Sequence, residues 1–336
     1  MKNVKKVGLS ALAGALAFTS ATAGDLSISG SMVGSYTKKG GYNTTANPLG
    51  MDKELSITGS GELDNGVGVA YKQTITDAFA FNDSELVFTN VPYAMGGTIA
   101  LTSTGSPIDA IDDKTPIAFE EANASVGSVK DVAGVNGTYG LRYTLADVAG
   151  TGIKLDTMYV FEHGTGDAAD DKGTANDDTG NGEGYDIVLS GSVPGVEGLS
   201  FNAGYAHLEN DAGKTAGVNN LDQNEGTINV NYAIGAFSVG AQRSVVSQEA
   251  KDATMYDTEY LGISYAISDN LSISYNEIDA EKHTPGVMVA QDFDSISLSY
   301  TAGGMTLGIL DASVDNASYQ TGRAQTATAL QMTIAF

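Results

Sequence analysis

Cysteine is absent from this 336-residue chain. That excludes disulfides, thiolate metal sites and a cysteine nucleophile, and it fits an exported chain that needs no oxidative folding. Basic residues are scarce: 17 Lys and Arg stand against 41 Asp and Glu, for a net charge of −24. A chain this acidic repels nucleic acid, so a DNA or RNA partner is excluded. Histidine occurs only at His163, His207 and His283, without metal-ligand spacing. No serine sits in a nucleophile elbow, and no glycine-rich loop is built to cradle phosphate. Proline is limited to 6 residues. Beyond the first twenty-three residues, no apolar run approaches the ~20 residues of a membrane-spanning helix.

What is present begins with a targeting segment. Lys2, Lys5 and Lys6 precede a short run of apolar and small residues from Val7 to Phe18, and Ala21-Thr22-Ala23 follows. This pattern reads as a Sec signal peptide over 1–23, cut before Gly24. The segment carries three lysines and no acid, so cleavage takes the charge from −24 to −27. Residues 24–336 then form one domain.

That domain alternates. Leu26-Ser27-Ile28-Ser29, Leu55-Ser56-Ile57-Thr58, Leu271-Ser272-Ile273-Ser274-Tyr275 and Ile296-Ser297-Leu298-Ser299-Tyr300 repeat with period two. One face is apolar and the other polar, which is the mark of a strand. About sixteen such segments run to the C-terminus, with no convincing long amphipathic helix between them. Their connections sort into a short set, such as Asp64–Gly66 with its Asn-Gly turn signal, and a long polar set. The long set is Thr37–Lys53, Asp77–Ser84, Thr104–Thr138, His163–Gly184, Glu209–Asn224, Gln248–Met255, Asp279–Asp292 and Asp315–Thr326. Short turns on one rim and long loops on the other predict an all-β, single 16-stranded antiparallel transmembrane barrel with short periplasmic turns and long extracellular loops. An even strand count places both termini on the short-turn side.

The polar face is Ser, Thr, Asn, Gln and Gly rather than Lys and Glu, as suits a lumen. The apolar face would meet lipid, where only closed barrels or helices satisfy every backbone group. Tyr143, Tyr232, Phe237, Tyr265, Tyr300 and Phe336 fall near the short-turn rim. Tyr36, Tyr159, Phe161, Tyr205 and Tyr275 fall toward the other. Two such rings match interfacial girdles.

The opening Asp25-Leu26-Ser27-Ile28-Ser29-Gly30, the strand entry Met95-Gly96-Gly97-Thr98-Ile99-Ala100-Leu101 and the closing Leu330-Gln331-Met332-Thr333-Ile334-Ala335-Phe336 resemble those of a Gram-negative outer-membrane porin, a general diffusion porin of the alphaproteobacterial type. The resemblance covers nearly the whole chain. It implies outer-membrane localisation, a homotrimer, contact with lipopolysaccharide, and presentation of Phe336 to the barrel-assembly machinery. It implies that the third long loop, 104–138, folds inward and narrows the barrel, with acidic residues facing basic ones across the lumen. A loop of roughly thirty-five residues in a compact fold is normally functional. On this resemblance Asp109, Asp112, Asp113, Glu120 and Glu121 are the acidic candidates for the constriction. Lys72 and Arg142, inward by parity, are the basic ones. Acidic loops with few inward cations lead to an expected cation preference.

Other readings stay open. The glycine-rich segment Asp167–Glu183 holds Asp170, Asp171, Asp177 and Asp178; it reads as a solvated loop or as a calcium-binding one, and no resident cofactor is otherwise expected. The function the resemblance implies is passive diffusion of small hydrophilic solutes and ions. The alternatives are a channel with a specific solute site, an adhesive surface β-protein, or a rim-site lipid hydrolase.

Overall fold

The computed structural model describes residues 26–76, 81–103, 105–120, 126–135, 139–161, 182–210, 221–249 and 253–336. The signal segment, Glu121, His163 and residues 167–181 of the glycine-rich acidic stretch lie outside them.

Sixteen strands form the molecule. The first eight are β1 (Leu26–Gly41), β2 (Leu49–Glu62), β3 (Gly68–Ile75), β4 (Phe81–Thr89), β5 (Thr98–Thr102), β6 (Gly140–Leu145), β7 (Ile153–Val160) and β8 (Gly184–Ser192). The second eight are β9 (Leu199–Leu208), β10 (Gln223–Ile234), β11 (Phe237–Gln248), β12 (Met255–Ser268), β13 (Leu271–Thr284), β14 (Val287–Ala302), β15 (Met305–Asp315) and β16 (Gln325–Ala335). Each pairs antiparallel with its sequence neighbours, and β1 closes on β16. Closure leaves no edge, so every strand's backbone groups find partners. The seam is tied at its short-turn end by reciprocal bonds between Gly30 and Phe336, at 2.8 and 3.0 Å. Both strand ends of the chain therefore lie at that rim. Among the described residues, no helix is long and apolar enough to cross a membrane.

Alternation explains the outer face. Ile28, Leu101, Leu141, Ile187, Ile228, Ile263, Ile296 and Leu330 all stand exposed on it. Aromatic pairs mark both rims: Phe237 against Tyr265 at 4.5 Å between ring centroids, and Tyr159 against Phe161 at 5.0 Å. A tyrosine with an apolar ring and a polar tip suits the headgroup layer. The tips are engaged: the Tyr205 hydroxyl donates to Asn224 at 2.6 Å, and that of Tyr275 donates to Asp294.

Two expected loops are corrected. The segment Asp279–Asp292 is not a long loop: β13 runs to Thr284, β14 starts at Val287, and only Pro285 and Gly286 separate them. Proline presets its own φ and Gly286 takes a φ of +77°, the pairing that a tight turn requires. Likewise β1 and β2 consume most of Thr37–Lys53. On β13–β15 the alternation signal fails because the phase of the apolar residues inverts part-way up the wall. On β13, Ile273 and Tyr275 point out, but above them Ile278 and Ala280 point in and are buried. Phe293 on β14 and Leu310, Ala312 and Val314 on β15 also point in. Glu277, Asp279, Asp292, Asp294 and Asp311 take the outer positions at that level. The upper wall of β12–β15 thus turns its apolar side to the barrel interior, where a loop covers it.

Candidate functional site

That loop is the connection between β5 and β6. Its described parts, 105–120 and 126–135, lie inside the barrel as two tiers against the inner wall of β8–β15. The lower tier carries Ile108 and Ile111. Ile108 is fully buried, and with Ile111 and Val132 it packs on Val188, Ala206, Leu208 and Val246. Burial of each such side chain contributes roughly 1.5–3 kcal/mol. The upper tier packs Val126 among Tyr260, Ile278, Phe293 and Val314.

Polar wall residues hold the backbone of the loop. The Lys114 carbonyl accepts from Asn229 at 2.9 Å and from Asn231 at 2.6 Å. Gln242 accepts from the Lys114 N–H at 2.7 Å and donates to the Ile111 carbonyl at 2.9 Å. The Ala118 and Phe119 N–H groups donate to Ser274 and Ser297, at 2.9 and 3.1 Å. In the upper tier, the N–H groups of Ala133 and Gly134 both donate to one oxygen of Glu225, at 2.6 and 2.7 Å. The Tyr319 hydroxyl accepts from the Lys130 N–H at 2.9 Å. A loop backbone buried away from water needs such partners, since each unpaired group is costly.

Wall glycines make the space. A Cβ on Gly204 would lie 2.8 Å from Ile108, one on Gly240 2.6 Å from Pro116, and one on Gly308 2.5 Å from the Phe119 ring. None of these contacts leaves room for a side chain, so glycine at inward positions of β9, β11 and β15 is a seat for the loop. The sequence showed these residues only as glycines and polar positions on a lumen face. Inward parity combined with missing side chains was the signal that could have found the seat.

The candidate constriction residues are placed as follows. Asp109 opens a single 3₁₀ turn, Asp109–Ile111. Asp113 and Glu120 line a cavity of about 740 Å³ between the lower tier and the short-turn half of the wall. Asp113 lies 3.6 Å from Lys114 Nζ. Asp112 sits between the tiers with Asp113 and Asp131, beside Tyr260 and Ile278. Burial pushes the Asp112 carboxyl up to about 8, with further contributions from Asp113, Asp131 and Asp109. Burial also pushes Asp131 up to about 7, against the opposing Val132 N–H and Ser244 hydroxyl. Across the lumen, Lys72 shares the inward phase of buried Thr74 and registers opposite Glu85. Arg142 points inward and forms a two-pronged pair with Asp156, at 2.8 and 2.7 Å, and Lys154 reaches the same carboxylate at 2.8 Å. The basic side chains of β3 and β6–β7 thus point inward but stand beside carboxylates of their own.

The two described histidines have polar neighbours of their own. His207 Nδ1 lies 3.0 Å from Asn224 and His283 Nε2 lies 2.9 Å from Glu281. Among the described residues, no group of three or more His, Asp or Glu is arranged to hold a metal.

Comparison with known proteins agrees with this geometry. A family model described as Gram-negative porin matches residues 8–334. No curated protein matches the chain. Among solved structures, an anion-selective porin from Comamonas acidovorans superimposes with a TM-score of 0.66 at 15% identity, covering 93% of this chain and 100% of that one. The trimer form of OmpT from Vibrio cholerae gives 0.64 at 12% identity, covering 94% and 100%. A substituted Rh. blastica porin gives 0.61 at 16% identity, covering 93% and 100%. At these identities the likeness is one of fold; the family match adds the function. The chain belongs to the Gram-negative porin family and is an outer-membrane channel for diffusion.

Proposed function

We propose that the protein passes small hydrophilic solutes and ions without catalysis, filtering them between the two-tiered loop and the charged wall of β3–β7, with a preference for cations. The observation that carries this is the loop itself: its described parts lie inside a closed barrel and are held there by polar wall side chains on β10, β11 and β13. The narrowest ring of such a passage selects by size and charge. The cation preference rests on two features. Glu120 stands exposed on the loop. The cations opposite are partly cancelled, Arg142 and Lys154 by Asp156. Asp112 adds little fixed charge at neutral pH, because burial favours its protonated form. Lys72, Arg142, Asp109, Asp113 and Glu120 are assigned to the lining of this passage, with Glu121 beside them in sequence.

The same reading carries the partners. Export follows the Sec route by the signal over 1–23. Phe336, at the end of the closing strand and bonded across the seam, is the residue offered to the assembly machinery. Homotrimerisation follows the form named for the Vibrio cholerae relative. The carboxylates on the outer upper wall of β12–β15 stand just above Tyr275, at headgroup level. Contact with lipopolysaccharide falls on this long-loop side.

Reversal potential in a salt gradient tests the filter. Neutralising Asp113 and Glu120 as Asn and Gln should reduce cation preference, and removing Lys72 should raise it. Unchanged potentials in both variants would remove these residues from the filter.

A further inference from the structure

The cavity beneath the lower tier has a barrel-side wall of uncharged polar groups. Its volume is about 740 Å³, within the range of small-molecule sites. On the barrel side it is lined by Ser200, Asn231, Ser238, Ser264, Ser299 and Gln331, and no acid or base projects from that side. Ser238 and Ser264 are register partners on adjacent strands, roughly 4.7–4.9 Å apart. The neighbouring Ser274 and Ser297 are engaged with each other at 2.8 Å and with the loop. Ser238, Ser264 and Ser299 take no described protein partner, so their hydroxyls are available to what enters. Each offers one donor and two acceptor positions.

The roof is aromatic. Phe119 lies against the wall at Gly308, where three of its ring atoms would be within 2.7 Å of an added Cβ. Its backbone is pinned by Ser297. The ring is thus held in place before any solute arrives, with its remaining surface lining the cavity. The loop side adds Asp113, Lys114 and Glu120, whose carboxylates and ammonium also hydrogen-bond hydroxyls. An uncharged polyhydroxylated solute can exchange water hydrogen bonds for serine and amide ones and lay its C–H face on the ring.

Resting on the diffusion-channel reading, we infer that this cavity is a binding subsite for neutral, hydroxyl-rich solutes of the saccharide class, reached from the short-turn mouth of the barrel. Open-channel current recorded with maltotriose on either side of a planar bilayer tests it. The expected result is concentration-dependent block, stronger from the short-turn side, with no comparable block by a polyethylene glycol of similar size. Phe119→Ala should weaken the block about tenfold, and Ser264→Ala, which leaves the loop's anchors intact, severalfold. Each variant's own saccharide-free current is its reference. A conducting channel that maltotriose does not block, or that the glycol blocks equally, overturns the subsite and leaves the diffusion reading standing. Absence of any channel current overturns the diffusion reading itself.

Discussion

Replacing Glu225 with alanine should unlatch the upper tier of the inner loop while leaving the barrel closed. Glu225 is 2% exposed, and one of its oxygens takes both the Ala133 and Gly134 N–H groups. Gln223 holds the other oxygen at 2.6 Å. Alanine would strand two backbone donors, each at a cost of about 1–3 kcal/mol. Water reaching the gap from the lumen offsets part of this, so about 2 kcal/mol is the net effect on tier docking. At 1.4 kcal/mol per tenfold, the undocked population should rise roughly thirtyfold. Hydrogen exchange at Ala133 and Gly134 should accelerate by that factor, and single-channel records should show added flicker. Glu225→Gln keeps a carbonyl acceptor and should fall between the two. Equal exchange rates and equal current noise in Glu225→Ala and the parent would refute the reasoning, because they would mean the carboxylate does not hold the tier.

Other expectations follow from the same geometry. Gly240→Val should displace the lower tier and change the conductance, because even a Cβ there lies 2.6 Å from Pro116 and 1.8 Å from Asn231. Tier packing should weaken as pH rises. The neutral carboxyls of Asp112 and Asp131 belong to the packed state, so packing is strongest below about 4 and is progressively lost as pH climbs toward about 8. Exchange rates in 126–135 measured against pH check this, and Asp112→Asn should flatten the profile. Arg142→Ala should leave Asp156 to Lys154 alone and move the reversal potential toward cations.

Much of the barrel was legible because lipid demands a strict alternation. Ile28, Ile57, Ile273 and Ile296 could be assigned to one face from period two alone, and the short Asn65-Gly66 turn fixed the rim. The alternation misleads where the wall stops facing hydrocarbon. Above Tyr275 the inward face of β12–β15 packs on the loop rather than on water, so Ile278 and Phe293 reverse the phase and the Pro285-Gly286 hairpin was hidden inside an apparent loop. The inner loop's existence was legible from its length. Its seat was not: Asn229, Gln242, Ser274 and Glu225 look like any other polar lumen residue until register brings them under 111–134. In sequence Asp112 looks like a lumen charge, because the second tier that covers it, bearing Asp131, comes from a segment nineteen residues further on.

The central claim, an aqueous passage through the barrel beside a docked loop, is tested most directly by single-channel recording of the purified mature protein in a planar bilayer. The account predicts discrete, stable current steps from protein that migrates anomalously on gels until heated. Bilayers that stay silent while the protein is folded by that gel criterion would contradict it.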